Sequence, residues 1–338
     1  MRDIAAFVLL TGALLFAPGG SVLAAEATSP PLAADTINSA SIGDIGPPAT
    51  AKGNAPDPAI VRLEVLLDRA GASPGVIDGF DGDNVRKALS AFAQMKGVAA
   101  SDPAGTIDDA LAAALDTGGP VVTSYAVTAD DIKNVTGKTP SDYGEMAKLK
   151  FLGYETNAEA LAEKFHMDID LLQALNPGAA FNPGDTIVVA DVGKPMTGKV
   201  ARIEVDKAKG QLRAFDGDDQ LLVAYPATIG SPDNPSPSGT HKVNAIAPMP
   251  NYTYDPGVNF QQGSNDKKLI IPPGPNGPVG SMWIDLTEPT YGIHGSPNPQ
   301  LIDKSNSHGC VRLTNWDAEE LAGMVSKGVP VVFEDGAG

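Results

Sequence analysis

The sequence predicts a multidomain chain, with a small all-α module near the N terminus, an α+β module in the middle and a mainly β domain at the C terminus. Three observations carry this expectation. Apolar residues recur at helical spacing between residues 56 and 117. Two further helical stretches between 126 and 192 end in a short apolar strand. From 199 to 335 short alternating or apolar runs are separated by Asp/Gly turns, the texture of a β domain. A chain of 338 residues has room for two or three such units.

The chain opens with Arg2, an apolar run from Ile4 to Ala17, and the small residues Val22-Leu23-Ala24-Ala25, which read as a secretory signal over residues 1–25. Because Asp3 cancels Arg2, an uncleaved anchor is the alternative. No later segment reaches the ~18 apolar residues of a membrane span. The expected location is therefore outside the cytoplasm. Residues 26–55 are rich in Ala, Ser, Pro, Gly and Thr with no apolar period, and are expected to be a disordered linker.

Asp57-Pro58 is a helix start, with Ile60, Leu63 and Leu67 on one face behind it. The turn-rich run Gly75 to Gly82 leads to a second helix carrying Val85, Leu89 and Phe92, and Thr106 to Asp109 cap a third that ends near Leu115. In the middle module Asn157 to Phe165 reads as a helix, Asp168 caps another with Leu171, Leu172 and Leu175, and Pro183-Gly184-Asp185 turns into the strand Thr186 to Val189. His166 reads as a helix-end residue. In the C-terminal domain strands are expected at Val200 to Val205, Gln211 to Phe215, Gln220 to Ala227, Ser281 to Leu286, Tyr291 to His294 and Val329 to Phe333, with a helix through Leu321 and Val325. Between them, the Pro- and Gly-rich stretch from Pro248 to Val279 is long enough to be a lid over a groove.

The net charge of -17 excludes a phosphate backbone as the natural partner, so no nucleic acid is expected. Chemistry points instead to the only cysteine, Cys310, in Ser307-His308-Gly309-Cys310-Val311-Arg312. One cysteine forms no internal disulfide, so the thiol is either a small buried hydrophobe or a reactive group. A thiol reacts as thiolate, which needs a nearby proton acceptor. His308 is two residues away and shares a face with Cys310 on an extended strand. His294 is sixteen positions upstream, at the end of a strand that can lie alongside. Gly309 allows a sharp turn, backbone N–H groups near it suit an oxyanion, and Arg312 suits a substrate carboxylate. A zinc site built on His294, His308 and Cys310 is the competing reading, weakened by the lack of a second cysteine and of His ligands at helical spacing.

Three resemblances follow from these residues. Ala59 to Leu115, with Ile77-Asp78-Gly79 and Ala88-Leu89-Ser90-Ala91-Phe92, resembles a three-helix peptidoglycan-binding module, although Gln94 is one position later than that family's glutamine. Leu172 to Pro177 followed by Pro183-Gly184-Asp185 and the strand resembles a LysM wall-binding module. His294-Gly295 followed by Ser307 to Leu313, together with Ile229-Gly230-Ser231, Pro237 to Thr240, Ile271 to Asn276 and Pro278-Val279-Gly280, resembles the L,D-transpeptidase catalytic domain, also called the YkuD domain. That likeness implies Cys310 as nucleophile, and His294 rather than His308 as the proton acceptor and donor. It also implies the segment Ser307, His308 and Gly309 as the motif that forms the oxyanion site with Cys310, the Gly295 carbonyl as orienting group, and Arg312 at the substrate edge. It implies no cofactor, and as partners peptidoglycan stem peptides, a wall-anchored protein as an alternative acyl acceptor, and β-lactams of the carbapenem class as inhibitors. A periplasmic, wall-associated enzyme is then expected. A hydrolase using the same pair and a silent wall-binding scaffold are the rival functions.

Overall fold

A computed structural model describes residues 32–46, 55–98, 107–231, 234–258 and 260–335. The expected signal, 1–25, lies outside the described residues.

Part of the expected linker is ordered. Residues 34–38 form helix α1 (Ala34–Asn38) and 42–44 a 3-10 turn, with Ile37, Ile42 and Ile45 buried. Three isoleucines within nine residues supply enough apolar surface to hold this otherwise small-residue segment down. Asn38 adds a polar anchor: its Oδ1 accepts from the Val121 and Val122 amides, and its Nδ2 donates to the Val122 carbonyl.

Helices α2 (Pro58–Arg69), α3 (Asp83–Lys96) and α4 (Asp109–Leu115) form where the apolar spacing puts them. Asp57 caps α2 by accepting from the Ala59 amide, and Asp108 caps α4 through Leu111. Next come β1 (Val122–Ala126), the one-turn helix α5 (Tyr143–Met146), α6 (Asn157–Lys164), α7 (Ile169–Leu175) and β2 (Thr186–Ala190), with β1 and β2 antiparallel. The first strand of the middle segment therefore starts at Val122, ahead of the expected boundary at 126. His166, at φ +55, ends α6.

The helical and middle segments share one hydrophobic core, running from Ile37 through Leu63, Leu67, Phe92 and Leu111 to Leu161, Leu172 and Val189. The Ile77-Asp78-Gly79 turn is the seam. Buried Glu64 of α2 accepts from the Asp78 and Gly79 amides, while Ile77 exchanges backbone bonds with His166 and Asp168. The expected division at 117–126 is thus bridged by continuous packing.

The C-terminal part holds β3 (Arg202–Asp206), β4 (Gln211–Phe215), β5 (Leu221–Pro226), β6 (Thr228–Ile229), β7 (Gly239–Pro248), β8 (Tyr252–Tyr254), β9 (Leu269–Ile271), β10 (Met282–Leu286), β11 (Gly292–His294), β12 (Val311–Arg312), α8 (Asn315–Met324) and β13 (Pro330–Glu334). Nine strands form one sheet in the order β5-β4-β3-β13-β7-β10-β11-β12-β6, and β8-β9 is a separate hairpin within the expected lid. Helix α8 packs on β10 and β11, burying Ala318 and Leu321. The loop after α2 extends the β5 edge: the Ser73 amide donates to Ala224 and the Ala224 amide to Gly71, at 2.9 Å each. That pairing covers an edge strand that would otherwise expose unpaired backbone groups.

Candidate active site

Strands β11 and β12 run parallel, with Ile293 opposite Val311 and His294 opposite Arg312. Ile293 and Val311 point into the core, fully buried. Alternation then puts Cys310, Arg312 and His294 on the opposite face together. Cys310 immediately precedes β12 and lies beside Gly292. From strand spacing near 4.8 Å and a rise near 3.3 Å per residue, the His294 and Cys310 Cα atoms are roughly 8 Å apart, a span that an imidazole and a thiol bridge together.

Gly292 leaves room here for an aromatic ring. A Cβ there would come within 2.5 Å of the Trp283 ring, which lies across the strand and stacks on His294 with centroids 5.4 Å apart. His294 is buried, and its Nδ1–H donates to the Gly295 carbonyl at 2.7 Å. A carbonyl only accepts, so that bond fixes the tautomer and leaves Nε2 as the free base. Burial and the Arg312 charge push the imidazole pKa down to about 4, against a weaker upward pull from the Gly295 bond. Burial pushes the Cys310 thiol up, opposed by the Gly292 amide and by Arg312. The resting pair is therefore a neutral thiol beside a neutral imidazole.

The turn bearing Cys310 is tied from several sides. Ser307 is buried; its Oγ donates to the Cys310 carbonyl at 2.6 Å and accepts from Gly230 at 2.7 Å and Gly309 at 3.2 Å. Ser236 Oγ donates to the Gly309 carbonyl at 2.7 Å. Gly309 has φ +103, and a Cβ there would sit 2.6 Å from Tyr291. The amides of His308 and Cys310 have no protein acceptor among the described residues, whereas that of Gly309 is engaged by Ser307.

His308 stands apart from the pair. It is exposed and stacks on Phe260 of the lid, with centroids 4.1 Å apart. Arg312 donates to the Asn306 carbonyl and has no carboxylate partner among the described residues, in a protein of net charge -17. Nor do any three His, Cys, Asp or Glu side chains among them converge as metal ligands. A cavity of about 570 Å³ opens between Tyr252, Val258, Trp283 and Thr290; the Thr290 carbonyl is 3.8 Å from Cys310 Sγ.

Behind His294 lies a group that sequence reasoning missed. Glu163 of α6 is buried and accepts from Asn315 Nδ2 at 3.2 Å, while Asn315 Oδ1 accepts from the Ser281 amide. A Cβ on Gly295 would strike that Oδ1 at 2.2 Å, so the backbone after the histidine packs directly on Asn315. Burial lifts the Glu163 carboxyl to about 8, with Glu319 and Glu159 adding to the rise and Asn315 opposing it. No local motif marks a glutamate contributed from 150 residues away. Ser236, 73 positions from Gly309, was missed for the same reason, whereas Tyr291 reads in the sequence only as part of the strand that ends at His294.

Comparison with known proteins identifies the family. The sequence model of the L,D-transpeptidase catalytic domain, YkuD, matches residues 200–333. A Bacillus licheniformis protein named as an L,D-transpeptidase, YkuD, is 31% identical over 176 residues, covering 51% of this chain and 90% of that protein. Its Bacillus subtilis counterpart is 28% identical over 52% of this chain and 91% of that protein. Among solved structures, an L,D-transpeptidase from Mycobacterium smegmatis superposes with a TM-score of 0.33 at 22% identity, over 45% of this chain and 63% of that one. With a relative above 30% identity matched over nine-tenths of its length, and with the Cys310, His294 and Gly295 geometry in place, the chain belongs to the L,D-transpeptidase (YkuD) family.

Proposed function

We propose that the protein is an exported, wall-associated peptidoglycan L,D-transpeptidase that works through a Cys310 thioester. The observation that carries this reading is the His294 imidazole, held neutral with Nε2 free on the face that presents Cys310. Cys310 passes its proton to Nε2 as sulfur attacks the carbonyl joining the third residue of a tetrapeptide stem to its terminal D-alanine. The developing oxyanion takes hydrogen bonds from the His308 and Cys310 amides. The C–N bond breaks, D-alanine leaves with the proton from Nε2, and a thioester remains. An acceptor amine then attacks, gives a proton to Nε2, and the sulfur leaves and is reprotonated. Arg312, with no acidic partner among the described residues, fits the stem's carboxylate.

The amine of another stem gives a cross-link, a lysine of a wall-anchored protein gives a tether, and water gives a carboxypeptidase product. The helical module and the β1-α6-α7-β2 unit are proposed to bind the wall, on the resemblances noted above. Intact-mass spectrometry after incubation with a carbapenem tests the thioester chemistry. A covalent adduct is expected, and it disappears in Cys310→Ala. Absence of an adduct on folded, reduced protein would overturn the reading in favour of a silent scaffold.

A further inference from the structure

The lid hairpin does not take its apolar cover from the main sheet. Tyr254 and Ile271, both fully buried, pack with Met146 and Leu152 in a small separate core. Those two residues belong to the segment between β1 and α6, a loop whose neck is pinched by the Thr136 amide donating to Tyr154 at 2.9 Å. This strap reaches out of the middle segment and grips the lid at both ends. At one end Gln262 accepts from the Tyr143 amide at 3.1 Å and donates to the Ser141 carbonyl at 2.9 Å, and Asn265 Nδ2 donates to Asp142 at 2.9 Å. At the other, the Leu152 amide donates to Pro273 and the Leu152 carbonyl accepts from Asn276. The approach is close enough that a Cβ on Gly274 would lie 2.1 Å from the Leu152 carbonyl oxygen.

Tyr143, at the tip of the strap, meets Tyr252, Tyr254 and Phe260 edge-on at 5.9, 5.3 and 6.1 Å. Phe260 in turn stacks on His308, two residues from Cys310, and Tyr252 lines the cavity beside Thr290. The Tyr143 phenol is pushed up by burial and pulled back by the charge of Arg312.

From these contacts we infer that the strap is a built-in wall of the substrate cleft, with Tyr143 as a positioning residue that seats the lid over Cys310 and Arg312 for stem-peptide binding. The inference rests on the transpeptidase reading for its substrate, but the seating of the lid does not. Weakening the strap should cost binding more than chemistry. In the full chain, Tyr143→Ala should raise KM for D-alanine release from a tetrapeptide stem ~10-fold, the worth of an aromatic contact or two, with kcat changed less than about threefold. Tyr143→Phe should restore KM to within about twofold. Asn265→Asp, which sets two carboxylates together at Asp142 without touching the cleft, should raise KM in the same direction. The exchange-partner double variant Asp142→Asn/Asn265→Asp should reverse it in part, because Asn265 also donates to Gln262 Oε1 at 2.6 Å and an aspartate cannot. Amide hydrogen exchange across 252–271 reads the lid without any substrate, and should speed up in Tyr143→Ala and Asn265→Asp only. Unchanged KM and unchanged lid exchange in both variants would overturn the inference. Faster lid exchange in both variants, alongside a wild-type protein that releases no D-alanine and takes no carbapenem, would instead refute the transpeptidase reading while leaving the strap's hold on the lid standing.

Discussion

His294 donates through Nδ1–H to the carbonyl of its own neighbour, Gly295, at 2.7 Å, so the base of the site is oriented by a backbone oxygen rather than by a carboxylate. A carboxylate partner would raise the imidazole pKa. The carbonyl does so only weakly, and burial with Arg312 wins, holding the pKa near 4. The acylation rate should therefore show no inflection near pH 6.5, where a free imidazole titrates, and should fall only as pH drops through about 4 and Nε2 gains its proton. Carbapenem acylation followed across pH 3.5 to 8 checks this; a clear inflection near 6.5 would contradict it.

The two histidines should separate sharply. His294→Ala removes the proton acceptor and should slow acylation by roughly 10²–10⁴-fold. His308 is exposed and stacked on Phe260, so His308→Ala should change the rate by less than about threefold. Rates of adduct formation by intact-mass sampling distinguish them.

Gly309→Ala should abolish acylation. Its φ of +103 and a Cβ 2.6 Å from Tyr291 force either the turn or the tyrosine to move, and Cys310 moves with the turn. A melting curve alongside the acylation assay would show whether the fold survives the loss of activity.

Arg312→Gln should weaken binding of a stem ending in a free carboxylate far more than one ending in an amide. A charge-assisted bond contributes about 1.5–3 kcal/mol, so KM for the free acid should rise ~10-fold or more while the amide changes little. Equal losses for both would place Arg312 in scaffolding alone.

Glu163 couples stability to pH. Its carboxyl titrates near 8 in the folded protein against an ordinary value of 4.5, so between those values the folded chain holds a proton that the unfolded chain has released. Stability contributed by this group is complete below about 4.5 and is lost as pH rises toward 8. Glu163→Gln should remove that decline. Between pH 5 and 8.5 its melting temperature should fall by several degrees less than that of the wild type. Other buried acids, such as Asp317, titrate in both proteins, so the difference isolates Glu163.

What was legible in the sequence was what short-range spacing encodes. The strand ending at His294 puts that histidine within reach of Cys310, but the i, i+2 alternation points equally to His308, and the preference for His294 comes from the resemblance. The structure sets His294 beside the cysteine segment through the β11-β12 register, while His308 stacks on the lid. Caps such as Asp57, Asp108 and Asp168 mark helix starts because their effect is local. Long-range packing was not legible. Ile37, Ile42 and Ile45 in a small-residue segment carry no periodicity that reveals a buried face. The Glu163–Asn315 pair joins residues 152 positions apart. Tyr143 sits in a one-turn helix too short to leave a pattern, yet its ring reaches the lid.

The common core of the helical and middle segments continues to Phe215, Leu221 and Ala224 on the edge of the catalytic sheet. Segments joined in this way do not behave as interchangeable cassettes. A homologous segment grafted in place of residues 55–192 would have to reproduce the Gly71–Ala224 ladder and the apolar cover over Phe215, as well as the strap that meets the lid. Substitutions on either side of that seam are thus expected to covary, and lineages carrying this arrangement should inherit it whole.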